Sequence, residues 1–162
     1  SFAPVYNREM QFSLRDFRPA DFHTLWSIDQ LCFPEGIAYS QSELKSYIRR
    51  KNAFTLVAER QPSEPAPASP IAGFIVAEAN RGRGHIITID VLAEARRSGL
   101  GSALLTAAEN HLRDAGCAIV SLETAVDNHP AITFYKRHLY FIGGTVPRYY
   151  SNGVDALVLQ KS

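Results

Sequence analysis

Length, composition and charge predict a globular domain rather than a fibrous or membrane-embedded chain. The 162 residues are 46% apolar and 20% charged, and the net charge is +1. A chain of this length can bury its own hydrophobic core, and so small a charge gives no general attraction to nucleic acid or anionic membranes. No apolar run reaches the roughly 18 residues of a membrane span, and the first residues lack a signal-peptide pattern.

We therefore expect residues 1–162 to form a single cytoplasmic domain, as a monomer or homodimer, with no nucleic-acid or membrane partner. The two cysteines, Cys32 and Cys117, have no Cys or His partner at metal-ligand spacing, and the five histidines are scattered. This pattern predicts two reduced thiols and no metal site.

The first half of the chain predicts a strand, two helices and a pair of strands. In chain order these are a strand at 11–17, a helix at 18–33, a loop at 33–40, a helix from Ser40 to about Arg50, and strands at 53–59 and 71–79. Ser40 and Glu43 have the spacing of a capping box, which marks a helix start. Four of the nine prolines fall within 60–71, a composition typical of an exposed hairpin loop rather than a domain linker.

The second half predicts alternating strands and helices. It contains a strand at 85–92, a helix that follows the glycines and ends at Gly116, a strand at 117–124, a helix at 130–139 and strand-like segments to the end. Strand–helix–strand implies a right-handed crossover and a parallel pair, whereas the preceding hairpins imply antiparallel neighbours. The fold class is therefore a mixed, mostly antiparallel α/β sheet with helices on both faces.

The stretch EARRSGLGSALL, residues 94–105, predicts an anion site. Small residues at a helix N-terminus let a phosphate approach unpaired backbone N–H groups. The predicted diphosphate cradle consists of Arg96, Arg97, Ser98, Gly99, Leu100, Gly101 and Ser102. The alternative is a strand-to-helix turn that needs positive φ. A Walker loop is excluded, since no Gly-Lys-Ser/Thr occurs; Leu104 weakens a dinucleotide fingerprint without removing it.

Two stretches resemble the signatures of GCN5-related N-acetyltransferases: DVLAEARRSGLGSALL and LETAVDNHPAITFYKRHLYF. The resemblance runs from about Ser13 to Leu159, and its second signature is most similar to the RimI-like branch, which acetylates protein N-termini. Two departures stand out: Ala93 replaces the family's proline, and Leu139-Tyr140 replaces its Gly-Phe. Because leucine adopts a left-handed conformation only at a cost, we expect this helix to end differently.

The resemblance implies acetyl-CoA as co-substrate, with its pantetheine arm lying between splayed strands that carry Val91 and Glu123. The backbone N–H of Val91 would meet the acetyl carbonyl, and the backbone of Ile89 and Val91 would pair with pantetheine amides. The cradle at 96–102 would bind the pyrophosphate. Asn128 would contact CoA through its side chain, and the alternative is a turn residue before Pro130.

The same resemblance implies two catalytic side chains. Tyr135 would be the general acid that protonates the departing thiolate; taken alone, it is better explained as a core tyrosine. Glu123 would be the base, acting through water; taken alone, it could be a solvated carboxylate at a strand end. A modest base suits an α-amine, because its pKa of about 7.7–8.0 lies below the roughly 10.4 of lysine.

The acceptor side is predicted at two loops, FPEGIAYS at 33–40 and RYYSNG at 148–153. By resemblance, Phe33, Pro34, Glu35, Tyr149 and Tyr150 would flank the first substrate residue, although the first loop is about two residues longer here. Packing at the edge of the core is the alternative for such aromatics. Three functions remain open: acetylation of a peptide or protein α-amine, acetylation of a small amine such as an amino acid, antibiotic or polyamine, and non-catalytic acyl-CoA sensing.

Overall fold

The computed structural model describes residues 12–61 and 69–162, which form one seven-stranded sheet with four helices. The elements are β1 (Phe12–Asp16), α1 (Phe22–Cys32), α2 (Gln41–Ile48), β2 (Ala53–Arg60), β3 (Ile71–Asn80), β4 (Arg83–Val91), α3 (Leu100–Asp114), β5 (Ile119–Ala125), α4 (His129–Arg137), β6 (Phe141–Val146) and β7 (Ala156–Lys161). Short 3-10 turns precede α1 and follow β4. The predicted elements are confirmed to within a few residues, and the C-terminal segment resolves into two strands. Residue 11 and most of the proline-rich loop, at 62–68, lie outside the described residues.

The sheet opens between its two parallel strands. Its order is β1-β2-β3-β4-β5-β7-β6, and every pair except β4–β5 is antiparallel. Strands β4 and β5 pair only from Arg83 to His85 and from Ile119 to Ser121. Beyond that point β4 continues to Val91 and β5 to Ala125 with no pairing between them. The predicted fold class, with its splayed parallel pair, is confirmed.

Helices cover both faces of the sheet and enclose two hydrophobic clusters. The apolar side chains of α3 recur at helical spacing and are buried against one face together with Tyr135 of α4. On the opposite face α1 and α2 bury Leu25, Ile28 and Leu44. The capping box that starts α2 is present: Glu43 N–H donates to Ser40 Oγ at 3.1 Å, and Ser40 N–H donates to Glu43 Oε1 at 2.9 Å.

The end of α4 corrects one expectation. Leu139 adopts the left-handed conformation after all, with φ +70°. The N–H of Tyr140 donates to Tyr135 O at 3.0 Å and that of Leu139 donates to Lys136 O at 3.0 Å, which is the Schellman pattern. Leucine is held there because Tyr140 is buried and donates its hydroxyl to Glu109 Oε2 at 2.7 Å, so the chain beyond the helix is fixed.

Candidate active site

The turn between β4 and α3 places an uncapped helix N-terminus beside the open edge of β4. Arg97 and Gly99 have φ of +65° and +85°, and α3 begins with no side-chain cap at Gly99. A Cβ on Gly99 would meet no atom within 4 Å, so positive φ is what requires glycine there. A Cβ on Gly101 would touch the Phe134 ring at 3.4 Å. The free N–H groups of the first turn fit the predicted phosphate cradle.

Some polar side chains of the cradle form hydrogen bonds within the turn or with α4, and others are exposed to solvent. Arg96 donates from Nε to Val91 O at 3.1 Å, whereas Arg97 is exposed. Ser98 donates its hydroxyl to Ala95 O, and Ser102 Oγ lies 2.9 Å from His138 Nε2. Both arginine side chains are exposed beside the turn, so their charges are open to an anionic ligand.

Strand β4 carries the predicted pantetheine contacts at the point where it has left β5. Ile89 and Val91 pair with Ile75 and Gly73 of β3 on one side only. The carbonyl of Val91 accepts side-chain hydrogen bonds from Arg96 and, at 3.4 Å, from Cys32 Sγ. The backbone here thus has bonding groups that the sheet does not use, as an extended amide ligand would need.

Glu123 lies two residues beyond the last residue of β5 that pairs with β4, and two side chains hold its carboxylate. His85 Nε2 is 2.8 Å from Glu123 Oε1, and Tyr149 donates its hydroxyl to the same oxygen at 3.2 Å. Burial raises the pKa of Glu123, but the hydrogen bond and charge of His85 and the Tyr149 hydrogen bond outweigh it and bring the pKa below its ordinary value. Glu123 is therefore ionised at neutral pH.

Tyr135 of α4 is buried within the cluster on the α3 face. Burial is the largest of the effects that raise the pKa of its phenol, followed by the charges of Asp90 and Tyr150. The phenol is therefore fully protonated at neutral pH and is a weaker acid than a free tyrosine. Its ring contacts those of Phe134 and Tyr140, so the position of Tyr135 satisfies the core interpretation.

The two predicted acceptor loops contact each other directly. Ser151 donates to Gly36 O through its N–H at 3.2 Å and its hydroxyl at 2.8 Å. The rings of Tyr149 and Tyr150 meet edge to face with centroids 4.9 Å apart. In the first loop, Phe33 is half-buried while Pro34 and Glu35 are exposed. The structure thus brings both loops and Glu123 into one region.

Asn128 caps a helix, a structural role that agrees with the turn interpretation of its sequence position. Its Oδ1 accepts from the N–H of Ala131 at 3.3 Å and caps α4, whose second residue is Pro130. The turn interpretation accounts for this oxygen, and the side-chain amide nitrogen remains the group with which Asn128 would contact CoA.

Sequence reasoning missed three site residues. His85 precedes Glu123 by 38 positions, and only strand pairing brings the two together. His138, at the end of α4, contacts Ser102 of α3, which lies 36 positions earlier in the chain. Tyr39 donates its hydroxyl to Ile87 O at 3.3 Å, which attaches the first acceptor loop to β4. A single sequence carries no signal for contacts between residues so far apart along the chain.

A parallel pair that splays beside an uncapped helix N-terminus is the arrangement that the sequence resemblance implies for an acetyl-CoA site. The model of the Acetyltransferase (GNAT) family matches residues 22–141. The chain belongs to this family and is an acetyl-CoA-dependent acyltransferase. The family prediction and the acetyl-CoA prediction are confirmed.

Three similar proteins illustrate the relationship. An uncharacterized N-acetyltransferase of Methanocaldococcus jannaschii is 38% identical over 92 residues, a match that spans 56% of this chain and 59% of that relative. An N-alpha-acetyltransferase of Sulfurisphaera tokodaii is 28% identical over 164 residues, 92% of each chain. The crystal structure of Ard1 from Thermoplasma volcanium superposes with a TM-score of 0.82 at 28% identity, covering 94% of this chain and 97% of that one.

Within the described residues, no helix is both long enough and apolar enough to cross a membrane.

Proposed function

We propose that the enzyme transfers the acetyl group of acetyl-CoA to the N-terminal α-amine of a peptide or protein. One observation carries the proposal: two loops are joined through Gly36 and Ser151, and Tyr149 of the second loop donates to the carboxylate of Glu123. Two joined aromatic loops beside the base suit one extended chain end, as the sequence resemblance implies. The N-alpha-acetyltransferase of Sulfurisphaera tokodaii, similar over 92% of this chain, supports the same substrate class.

Acetyl-CoA would bind across the opening between β4 and β5. The uncapped start of α3, with Arg96 and Arg97 nearby, would hold the diphosphate. Backbone groups of Ile89 and Val91 would pair with the pantetheine amides, and the N–H of Val91 would polarise the acetyl carbonyl. Asn128 would contact CoA through its amide nitrogen.

The acceptor amine must lose a proton before its nitrogen attacks the acetyl carbon. Glu123 is ionised, but its lowered pKa makes it a weak base when it acts alone. When the His85 ring is neutral, its Nε2, 2.8 Å from Glu123 Oε1, donates to the carboxylate, so the other ring nitrogen, Nδ1, is a second acceptor for the proton. We propose that Glu123 and His85 receive the proton together through water, which suits an α-amine better than the more basic lysine.

Collapse of the tetrahedral intermediate breaks the carbon–sulfur bond and releases a thiolate. Tyr135 would give its phenolic proton to that sulfur and later recover one from solvent. Its raised pKa makes full transfer uphill in energy, so transfer must be concerted with bond cleavage. The nitrogen loses a second proton to solvent as the amide forms, which balances the proton that Tyr135 recovers, so the products are one amide, one thiol and the ammonium proton passed to the base.

We place the enzyme in the cytoplasm as a single domain that acts as a monomer or homodimer. Cys32 and Cys117 are both free thiols in the structure, which is in keeping with a reducing compartment.

The substrate class is tested by measuring CoA release with short peptides of varied first residue, beside free amino acids, polyamines and aminoglycosides. The proposal expects turnover with peptides and little with the small amines. Rapid turnover of a small amine without peptide acetylation would favour the alternative substrate class. Acetyl-CoA binding without turnover of any amine would favour the non-catalytic sensor.

A further inference from the structure

Two aspartates are completely buried between α1 and the sheet. Asp29 of α1 and Asp90 of β4 are both 0% exposed where α1 packs on β4, and the Asp29 carboxyl raises the pKa of Asp90 through a hydrogen bond between the two side chains and through its charge. Asp29 Oδ1 and Asp90 Oδ2 have no N–H or O–H donor among the described residues. Since ionised carboxylate oxygens only accept, this contact is a hydrogen bond only if one of the two carboxyls carries a proton.

No cation neutralises this pair within the described residues. Its titratable neighbours are Cys32 of α1, Tyr39 of the first loop and Tyr135 of α4, which are neutral at pH 7. Arg96 is exposed, and its hydrogen bonds go to Val91 O and Cys32 rather than to either carboxyl. Two buried like charges without a counter-ion are far more costly than one protonated carboxyl. Burial and the Asp29 carboxyl accordingly raise the pKa of Asp90 well above its ordinary value, against the lowering effect of Thr88.

Asp29 holds both ends of the first acceptor loop. Its backbone carbonyl accepts from Phe33 N–H at 3.1 Å, and its side-chain Oδ2 accepts from Tyr39 N–H at 2.8 Å. On the other side of the pair, Asp90 accepts from Thr88 Oγ1 at 2.5 Å and immediately precedes Val91. The carboxyl pair is therefore a direct link between the loop at 33–40 and the strand that would present the acetyl group.

We propose that Asp29 and Asp90 share one proton and act as positioning residues, fastening the acceptor loop at 33–40 to β4 beside Val91. The pair does not touch the reacting atoms. It sets the distance between the acceptor amine and the acetyl carbonyl. This role rests on the proposed function. Because the loop is attached through Asp29, a loosened pair affects the binding of the acceptor and leaves the binding of acetyl-CoA alone.

The shared proton is tested by infrared spectroscopy of the wild-type protein and three variants at pH 7. The carbonyl stretch of a protonated carboxylic acid is expected in the wild type and lost in both Asp90→Asn and Asp29→Asn. Asp21→Asn is the matched control, because Asp21 is also buried but is ionised in a pair with Arg15, so its replacement leaves the band in place. A wild type without the band, or a band that survives in both Asn variants, would overturn the shared proton.

The positioning role is tested by steady-state kinetics. Asp90→Ala removes the link, and the KM for peptide is expected to rise about tenfold or more, because a displacement near 1 Å has effects up to about 10²-fold. The KM for acetyl-CoA stays unchanged, and Asp90→Asn, whose amide can donate to Asp29, restores the peptide KM. If Asp90→Ala does not fold, Asp90→Ser takes its place. Equal changes in both KM values, or none, would refute the positioning role. If the infrared band is present but the protein acetylates no peptide, the proposed function is refuted instead.

Discussion

Replacing Gly36 with alanine should separate the two acceptor loops. Gly36 has φ +88°, and a Cβ there would lie 2.6 Å from Asn152 Cβ and 3.0 Å from Asn152 N. Carbon atoms prefer separations of about 3.5–4.0 Å, so the loops must move apart by about 1 Å. A displacement of that size costs up to about 10²-fold in rate. We expect kcat/KM for peptide to fall about 10- to 100-fold while the KM for acetyl-CoA is unchanged.

The chain offers a matched control in the second loop. Gly153 has φ +86°, and a Cβ there would meet no atom within 4 Å. Gly153→Ala therefore shares the left-handed strain of about 1–2 kcal/mol, which would lower Tm by about 2–8 °C in either variant, but it lacks the clash. Thermal melting and steady-state kinetics on both variants separate the two effects. If Gly36→Ala and Gly153→Ala lose the same peptide activity, the contact between the loops does not shape the acceptor site.

The remaining predictions concern four single substitutions. Tyr135→Phe should lower kcat about 10²-fold or more with acetyl-CoA affinity near normal; loss of stability alone, with turnover intact, would make Tyr135 a packing residue. Glu123→Gln should lower kcat. Because the pKa of Glu123 is lower in the folded state, its charge stabilises the fold above about pH 4.3, and this stabilisation is lost as the pH falls further. The Tm difference between the wild type and Glu123→Gln should therefore vanish in acid. Gly101→Glu should abolish acetyl-CoA binding by calorimetry in a protein that still melts cooperatively, and undiminished affinity would remove the phosphate interpretation. Leu139→Gly removes the backbone strain at φ +70° and deletes a side chain that is 76% exposed. After subtraction of the backbone entropy that glycine loses on folding, it should stabilise the fold by about 0.5–1 kcal/mol and raise Tm by about 1–4 °C. A lower Tm would contradict this.

The sequence predicted the elements whose signals are local. The helical spacing of apolar residues gave α3, the Ser40–Glu43 capping box gave the start of α2, and both are confirmed. Strand–helix–strand around the glycine turn predicted the parallel pair, which is also confirmed. These features depend on residues within a few positions of each other, so one chain is enough to find them.

Features that depend on distant contacts could not be predicted in this way. The lowered pKa of Glu123 depends on His85 of the neighbouring strand, and the carboxyl pair consists of Asp29 and Asp90, which are 61 positions apart (90 minus 29). The left-handed Leu139 was expected to be too costly, but burial of the following tyrosine holds it in place. Each case needs a partner that only the folded sheet supplies.

Mass spectrometry of one acetylated peptide tests the central claim most directly. The peptide carries a free N-terminus and an internal lysine, and it is incubated with the enzyme and acetyl-CoA before fragmentation locates the acetyl group. The account predicts a single acetyl on the α-amine, because this amine loses its proton more easily than lysine and because two joined loops admit one extended chain end. Acetylation of the lysine alone, or an unmodified peptide beside rapid turnover of a small amine, would contradict it.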